Sequence, residues 1–540
     1  MSASVVPMSV IGRPLSAQVI VSTGPMSGPA LAGLSRPAKI VLSDSFFQNH
    51  LRGVWWMDLA ILKVLKDTSI TADAIHDAIS QAIEDKVLLP GNKPPSTREI
   101  AVYLGVSRTT VVKCFDTLIA RGYLTSSQGS GTWVRHVSGE EPVDTDEDGL
   151  VPGYPWRERF TTLARNLTTL SAETVEDTAF DEMNFGAAPT DLVPVKQWRN
   201  ILLKASEKIH ESGFETNQEV FGYRPLREAI AGFLRRSKGI VCQPEQIVLD
   251  TGVQGVVSPA LALLANAGDR VICENPGFYG AREQFYSLGA DVLTVPVDGE
   301  GMIVDELASI EGPCQWLYIE PSCQEPTGVT LSASRRHQLL AWCASNQTAI
   351  LEDDWDSEFH YGGQAQKSLF SLDKSGSVIY FYSFWRLLYP FISVGILVIP
   401  EKLIEVFESY KNVWDRQFTL LEHHVLTELI NEGHVEKHIR STWKKYRQRR
   451  QSLIFSLTKN LAGKIEIVSS STGMHVLVRF DQSLAADRIE AAARHAGLSI
   501  ASTTPYYVHD ARVNEFMMRF TDIADDDIDG RVMAFSAAIA

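Results

Sequence analysis

Two stretches of the chain carry residues able to do chemistry. The first is residues 380–400, YFYSFWRLLYPFISVGILVIP. An apolar run ends at Tyr382. One hydroxyl, Ser383, and one cation, Arg386, come next, and a second apolar run covers residues 394–399. Two buried strands flanking a short functional loop have this pattern. A guanidinium stays protonated at neutral pH and is not a nucleophile, so Arg386 suits an internal ion pair, for instance with Asp353 or Asp354, or contact with an anionic ligand. The second stretch is residues 95–134, PSTREIAVYLGVSRTTVVKCFDTLIARGYLTSSQGSGTWV, where cations sit beside caps and turns in an order suited to DNA.

The elements that position this second set can be read from spacing. Residues 58–85 have helical periodicity (Ile61, Leu65, Ile75, Ile79, Ile83) and end at a Pro-Gly turn. Ser96 or Thr97 caps a second helix that stops at Gly105. Ser107 caps a third, residues 108–121, with Val111, Val112, Phe115, Leu118 and Ile119 as its inner face. Two short helices joined by a glycine turn make a helix-turn-helix, and residues 122–134 add a β-hairpin wing. Residues 85–135 hold seven Lys/Arg against three acids (Asp85, Glu99, Asp116) within a chain of net charge −15. Double-stranded DNA is the expected partner. Arg108 and Thr109 open the helix whose first turn reaches base edges. Arg98 and the wing tip around Ser130 suit phosphates, and Ser107 and Lys113 complete the candidate contact set.

Length and composition bound the rest. With 540 residues, two or three domains are expected, and 45% apolar with 21% charged residues describes a soluble globular protein. The six cysteines form no CxxC pair, which fits a reduced cytoplasmic compartment with no metal site. No apolar run reaches the roughly 18–20 residues of a membrane span. Residues 1–57 are expected to be a disordered extension, residues 58–136 the DNA-binding unit, and residues 137–180 an acidic linker. That linker holds Glu140, Glu141, Asp144, Asp146, Glu147 and Asp148. From residue 181 on, short apolar strands alternate with amphipathic helices, the mark of a wound α/β sheet. A helical region over residues 403–461 and a smaller α/β end close the chain. His434 and His438 lack the HExxH order and read as a solvated or salt-bridged helix. The basic run at residues 444–450 reads as an exposed helix.

Residues 95–134 resemble the winged helix of GntR-type repressors almost position by position. FGYRPLREAIAGFLRRSKGIVCQPEQIVLDTGVQG, LLANAGDRVICENPGFYGAR, EPSCQEPTG, ILEDDWDSEFHYGG and FMMRFTDI resemble the fold-type-I aminotransferase domain of MocR/GabR-type regulators. The match covers roughly residues 60–540. It implies an α/β fold: an N-terminal winged helix-turn-helix plus a fold-type-I aminotransferase-like large domain with a small C-terminal lobe. It also implies a homodimer and a DNA-binding transcriptional regulator.

The resemblance further implies a pyridoxal phosphate (PLP) pocket. Asp353 stands at the pyridinium-partner position, Phe278 at the ring-stacking position, and Thr251, Gly252 and Val253 at a phosphate loop. Ser383 stands at a phosphate-contacting position and Arg519 at the carboxylate-binding one. Other positions depart from the family pattern. The Schiff-base lysine position carries Arg386, the phosphate-clamping arginine position Ser393, the phenolate-bonding tyrosine position Trp355, a loop tyrosine position Asn217, and a polar position Cys323. An aminotransferase-like domain acting as sensor and dimerisation platform is therefore expected, with a small anionic effector and without a cofactor. The alternatives are a working PLP aminotransferase or a regulator that binds PLP noncovalently.

Overall fold

The computed structural model describes residues 9–10, 13–14, 70–127, 131–135, 156–174, 192–212, 220–362, 366–414, 419–469 and 471–539. The N-terminal extension, residues 58–69 of the expected first helix, the wing tip with Ser130, the acidic run and Asn217 lie outside them. The chain divides into two compact units, residues 1–153 and 154–540.

In the first unit, helix α1 (Ala72–Glu84) starts at the Thr71 cap. Helix α2 (Thr97–Leu104) is begun by Ser96, not Thr97. The Ser96 N–H donates to Glu99 Oε2 at 2.8 Å, and the Glu99 N–H donates back to Ser96 Oγ at 3.3 Å. This reciprocal pair satisfies two backbone donors that a helix start leaves open. Gly105, at φ +69°, ends the helix where a side chain would be strained. Ser107 then caps α3 (Arg108–Ala120). Ile75, Ile79, Ile100, Val111, Phe115 and Leu118 form the core, with Leu124 and Val134 of the hairpin β1 (Leu124–Ser127) and β2 (Gly131–Val134). Val112, expected inside, is exposed, and Cys114 takes the inner position. The helix turns Cys114, Phe115 and Val111 toward α1 together, which leaves Val112 on the solvent side.

In the second unit an eight-stranded sheet runs in the order β3-β10-β9-β8-β7-β4-β5-β6. These strands are β3 (Ile247–Thr251), β4 (Arg270–Asn275), β5 (Asp291–Asp298), β6 (Gly301–Met302), β7 (Trp316–Ile319), β8 (Ala349–Asp353), β9 (Val378–Ser383) and β10 (Val394–Val398). Strands β4, β5, β7, β8 and β9 are parallel, and β10 is antiparallel to both its neighbours. Every residue of β9 is buried. Tyr380 and Tyr382 enter one core and Ile379 and Phe381 the other, so the strand reads as a continuous apolar run because helices cover both faces. The carboxyl ends of β3, β4, β7, β8 and β9 share one edge, the place where open α/β sheets bind ligands. Residues 162–174, expected in the linker, form a helix. Asn166 Nδ2 donates to the Tyr286 and Ser287 carbonyls of the second unit. The small lobe is an antiparallel sheet in the order β11-β12-β14-β13: β11 (Ile465–Ser469), β12 (His475–Phe480), β13 (Ile500–Ser502) and β14 (Glu515–Arg519).

Helix α4 (Gly252–Leu264) begins directly after β3 and lies against β10. Gly395 makes that approach possible, because a Cβ there would collide with the Gly252 carbonyl and press within 3.1 Å of Val256 Cγ1. Gly395→Ala is therefore expected to lower the unfolding free energy by about 1–3 kcal/mol and with it the denaturation midpoint, an overpacking cost against backbone. Gly299→Ala, where a Cβ meets nothing within 4 Å, should leave the midpoint unchanged.

Candidate functional site

Arg386 lies on the short helix that follows β9 (Trp385–Leu388). Its guanidinium carbon sits 4.1 Å from the Trp355 ring centroid and 5.6 Å from that of Trp385. Its carboxylate partner is Glu325, with Nη2 3.9 Å from Oε2. Of the roles left open for Arg386, an ion pair with Asp353 or Asp354 is not formed; the pair it makes is with Glu325. The Tyr318 hydroxyl donates to Asp353 Oδ2 at 2.6 Å. The Tyr380 hydroxyl donates to Asp354 Oδ2 at 2.5 Å, and Lys238 Nζ stands 3.4 Å from it and 2.6 Å from Glu358. Burial pushes the Asp353 carboxyl well above the usual range against the pull of Arg386. Burial acts on Asp354 too, but Lys238 and hydrogen bonds from Ser357 and Tyr380 outweigh it and hold that carboxyl low.

Around Arg386 stand groups that spacing alone did not single out. Asp356 is fully buried, and burial pushes its carboxyl up to about 8 although Arg386 opposes the shift. His475, on β12 directly across from Arg519 on β14, is pushed down to about 4 by burial and is neutral. Its Nε2–H donates to the Pro326 carbonyl at 2.8 Å. Glu274 and Glu320, at the ends of β4 and β7, are raised by burial, Glu274 to about 8. Trp355 Nε1–H donates to the Cys323 carbonyl at 2.8 Å, so that donor is already committed. Burial raises the Cys323 thiol well above its ordinary value, leaving it without nucleophilic character. Arg519 is buried, and its Nε–H donates to Thr521 Oγ1 at 2.7 Å. Phe278 caps the helix Tyr279–Leu288, with its ring 5.7 Å from that of Tyr279.

The phosphate-loop residues form a separate group. Gly252, at φ +64°, donates its N–H to the Ser393 carbonyl at 2.7 Å. The Thr251 N–H goes to Asp250 Oδ1 at 2.7 Å. The backbone of Val253 continues α4. The Ser393 N–H donates to Glu422, and Lys411 Nζ lies 2.8 Å from Asp250 Oδ2. Thr251, Ser393, Asp250, Lys411 and Glu422 line a cavity of about 290 Å³. Ser383 Oγ accepts the Trp385 N–H at 3.1 Å and donates to the Val394 carbonyl at 3.4 Å, a local turn contact. Two amides and one hydroxyl that would face a phosphate are thus bonded within the chain.

On the first unit, Arg98, Arg108, Thr109 and Lys113 are exposed. Ser107 is exposed too, but its hydroxyl meets the Thr110 N–H at 3.2 Å and the Thr110 hydroxyl at 2.8 Å, which commits it to capping. Lys93 stands 5.3 Å from the Trp133 ring centroid beside the hairpin. Of the two histidines at helical spacing, His434 pairs with Glu432 at 2.9 Å and His438 is buried against the Leu387 carbonyl. The basic run is not wholly exposed, since Arg449 is buried on Asp525 at 2.7 Å and Arg450 lies over Tyr361.

This geometry defines a two-part protein, a winged-helix module joined to a fold-type-I aminotransferase fold. The family models agree: "Bacterial regulatory proteins, gntR family" over residues 71–134 and "Aminotransferase class I and II" over residues 183–515. The chain is 30% identical over 417 residues to the "Probable rhizopine catabolism regulatory protein MocR" of Rhizobium meliloti, covering 77% of this chain and 83% of that one. It is 28% identical to the HTH-type transcriptional regulator YhdI of Bacillus subtilis, covering 87% and 96%. Among solved structures, the kynurenine aminotransferase of Pyrococcus horikoshii matches with a TM-score of 0.59 at 26% identity, over 66% of this chain and 89% of that one. The chain belongs to the MocR-type GntR transcriptional regulators, which bind DNA.

The buried carboxyls give a pH signature. An acid whose folded value lies above its unfolded one, near 4, stabilises fully below about pH 4 and loses that contribution as pH rises through the folded value. Stability should therefore fall from about pH 4 to about pH 8, where the folded state keeps the Asp356 and Glu274 protons that the unfolded chain has lost. Asp356→Asn should flatten this slope and melt above the wild type at about pH 9, checked by thermal unfolding across that range.

Proposed function

We propose that the aminotransferase-like domain of this regulator performs no transamination, holds no PLP, and serves as a ligand-sensing and dimerisation platform in a cytoplasmic homodimer. The observation that carries the reading is Arg386, whose guanidinium lies over Trp355 and beside Glu325 at the position where the family chemistry needs a lysine amine. A guanidinium forms no imine with an aldehyde at neutral pH. Three further features argue against fit to the cofactor. The Trp355 N–H is bonded to Cys323. Ser393 offers no cation for a phosphate, and Glu422 places a carboxylate at its amide. Glu325 sets another carboxylate beside Arg386. The kynurenine aminotransferase supplies likeness of fold; the two regulators match over more of this chain.

The winged helix supplies DNA recognition. Arg108 and Thr109 open α3 on the exposed side and read base edges, while Arg98 and Lys113 contact phosphates. Two copies related by a two-fold axis read two half-sites.

Arg108→Ala is expected to weaken binding to an operator duplex by about 1–3 kcal/mol in a gel-shift titration and to relax sequence preference at one position. An unchanged midpoint would remove Arg108 from base readout. Adding PLP to the purified protein should give no visible imine absorption and, after borohydride, no PLP-modified lysine in a peptide map. A modified lysine in the second unit would overturn the cofactor-free reading.

A further inference from the structure

The helix His434–Asn460 of the second unit, 27 residues long, holds eight Lys/Arg and a single acid, Glu436, inside a chain of net charge −15. Some of these charges are used by the fold. Arg449 is buried on Asp525, Arg450 lies over Tyr361, and Arg236 meets Glu436 at 2.7 Å. The rest form a stripe. Lys437, Arg440, Lys444 and Arg447 follow one another at spacings of three and four residues, which puts them on one helix face. All four are exposed, as are Ser441, Gln448 and Gln451 between and beyond them and Lys445 at the edge. That face carries no carboxylate. Val435, Thr442, Tyr446, Leu453 and Leu457 are buried on the other side and dock the helix.

The fold gains nothing from the stripe. Like charges three and four residues apart destabilise a helix, and none of the four cations makes an ion pair among the described residues. A counter-charge from outside the chain would relieve that repulsion. One member is also ordered in advance. The Trp443 Nε1–H donates to the His360 carbonyl at 2.8 Å, which fixes the indole, and the Arg447 guanidinium carbon lies 5.3 Å from its ring centroid. A stacked guanidinium keeps its planar fork of donors free for a phosphate, and the lysines add point charges beside it. At 1.5 Å of rise per residue the stripe spans about 15 Å. Duplex DNA presents one negative charge about every 1.7 Å of its axis, so a row of that length faces several phosphates. Because the chain as a whole is acidic, such attraction is confined to this face.

We infer that the exposed face of this helix is a second DNA-binding surface, on the aminotransferase-like unit, that holds the phosphate backbone of duplex DNA without reading its sequence. It goes beyond the recognition assigned to the winged helix. Cations on a convex face bind phosphates and position the duplex, while base edges are read in the grooves by the other unit.

The test is fluorescence anisotropy of the full-length protein with a labelled duplex of arbitrary sequence, about 60 bp long, titrated at several KCl concentrations between about 50 and about 200 mM. Each phosphate contact adds about 0.9 to the slope of log affinity against log salt. The triple variant Lys437→Gln/Arg440→Gln/Lys444→Gln should lower that slope by about 2–3 and weaken binding at least ten-fold at the lowest salt. The control removes the same charge elsewhere in the same unit. Lys196→Gln/Arg199→Gln/Lys204→Gln, at exposed positions of the helix Val195–Ser212, should change the slope by less than about 1. Circular dichroism and thermal unfolding of both variants show that the helix stays folded, and Lys437→Arg/Lys444→Arg, which keeps the charge, should bind like the wild type. An unchanged slope in the first triple variant overturns the idea, and so does an equal loss in both triples, which would reflect net charge alone. A single-stranded RNA of the same length is run in parallel. Weakened RNA binding with unchanged duplex binding would assign the stripe to RNA and remove DNA as its partner. Wild-type DNA binding that persists through the first triple variant removes this surface alone and leaves the winged helix as the DNA-binding unit.

Discussion

The second unit is governed by a concentration of carboxyl groups at the edge of its sheet that two cations must balance. Glu274, Glu320, Asp353, Asp354, Asp356 and Glu358 all stand at or just beyond strand ends, buried. Lys238 neutralises the Asp354–Glu358 side, and Arg386 faces the Asp353–Asp356 side. Charges out of water require a partner or a proton, and this edge uses both. Asp354 is ionised against Lys238, while Glu274 and Asp356 keep protons. Replacing the lysine of this position by arginine trades a titratable nucleophile for a permanent charge, delocalised over a plane that lies across the Trp355 face.

That arrangement connects the substitutions noted in the sequence. Trp355 gives Arg386 an aromatic face and ties its own N–H to Cys323. Glu325 supplies the nearest opposite charge. Ser393 exposes an amide that Glu422 accepts, and Lys411 balances Asp250 nearby. Trp355 and Ser393 thus both make contacts internal to the chain.

Much of the fold was legible because each strand is short and apolar and each helix start carries its own cap. The alternation of short apolar strands with helices after residue 181 is present in the sheet, and the α2 and α3 starts follow from Ser96 and Ser107. Periodicity misplaced Val112, since one residue of rotation separates the inner face from solvent. The identity of Arg386's partner was not legible. Glu325 is 61 positions away in the chain and follows a different strand from Asp353 and Asp354, so only the parallel order of β7, β8 and β9 brings it there. Asp356 and His475 were missed for a related reason. An acid three residues past a strand and a histidine opening another look ordinary until the fold brings both under the charge of Arg386. The acid-rich strings IEPSCQEP and EDDWDSE were the available signal.

The central claim is that a domain with Arg386 at this position holds no covalently bound PLP. Native mass spectrometry of the full-length protein, purified from cells grown with ample pyridoxine, tests it most directly. The account predicts a dimer whose subunits return to the mass of the bare chain on denaturation, with any extra native mass belonging to a small dissociable molecule. A PLP-sized increment that survives denaturation after borohydride reduction would contradict it.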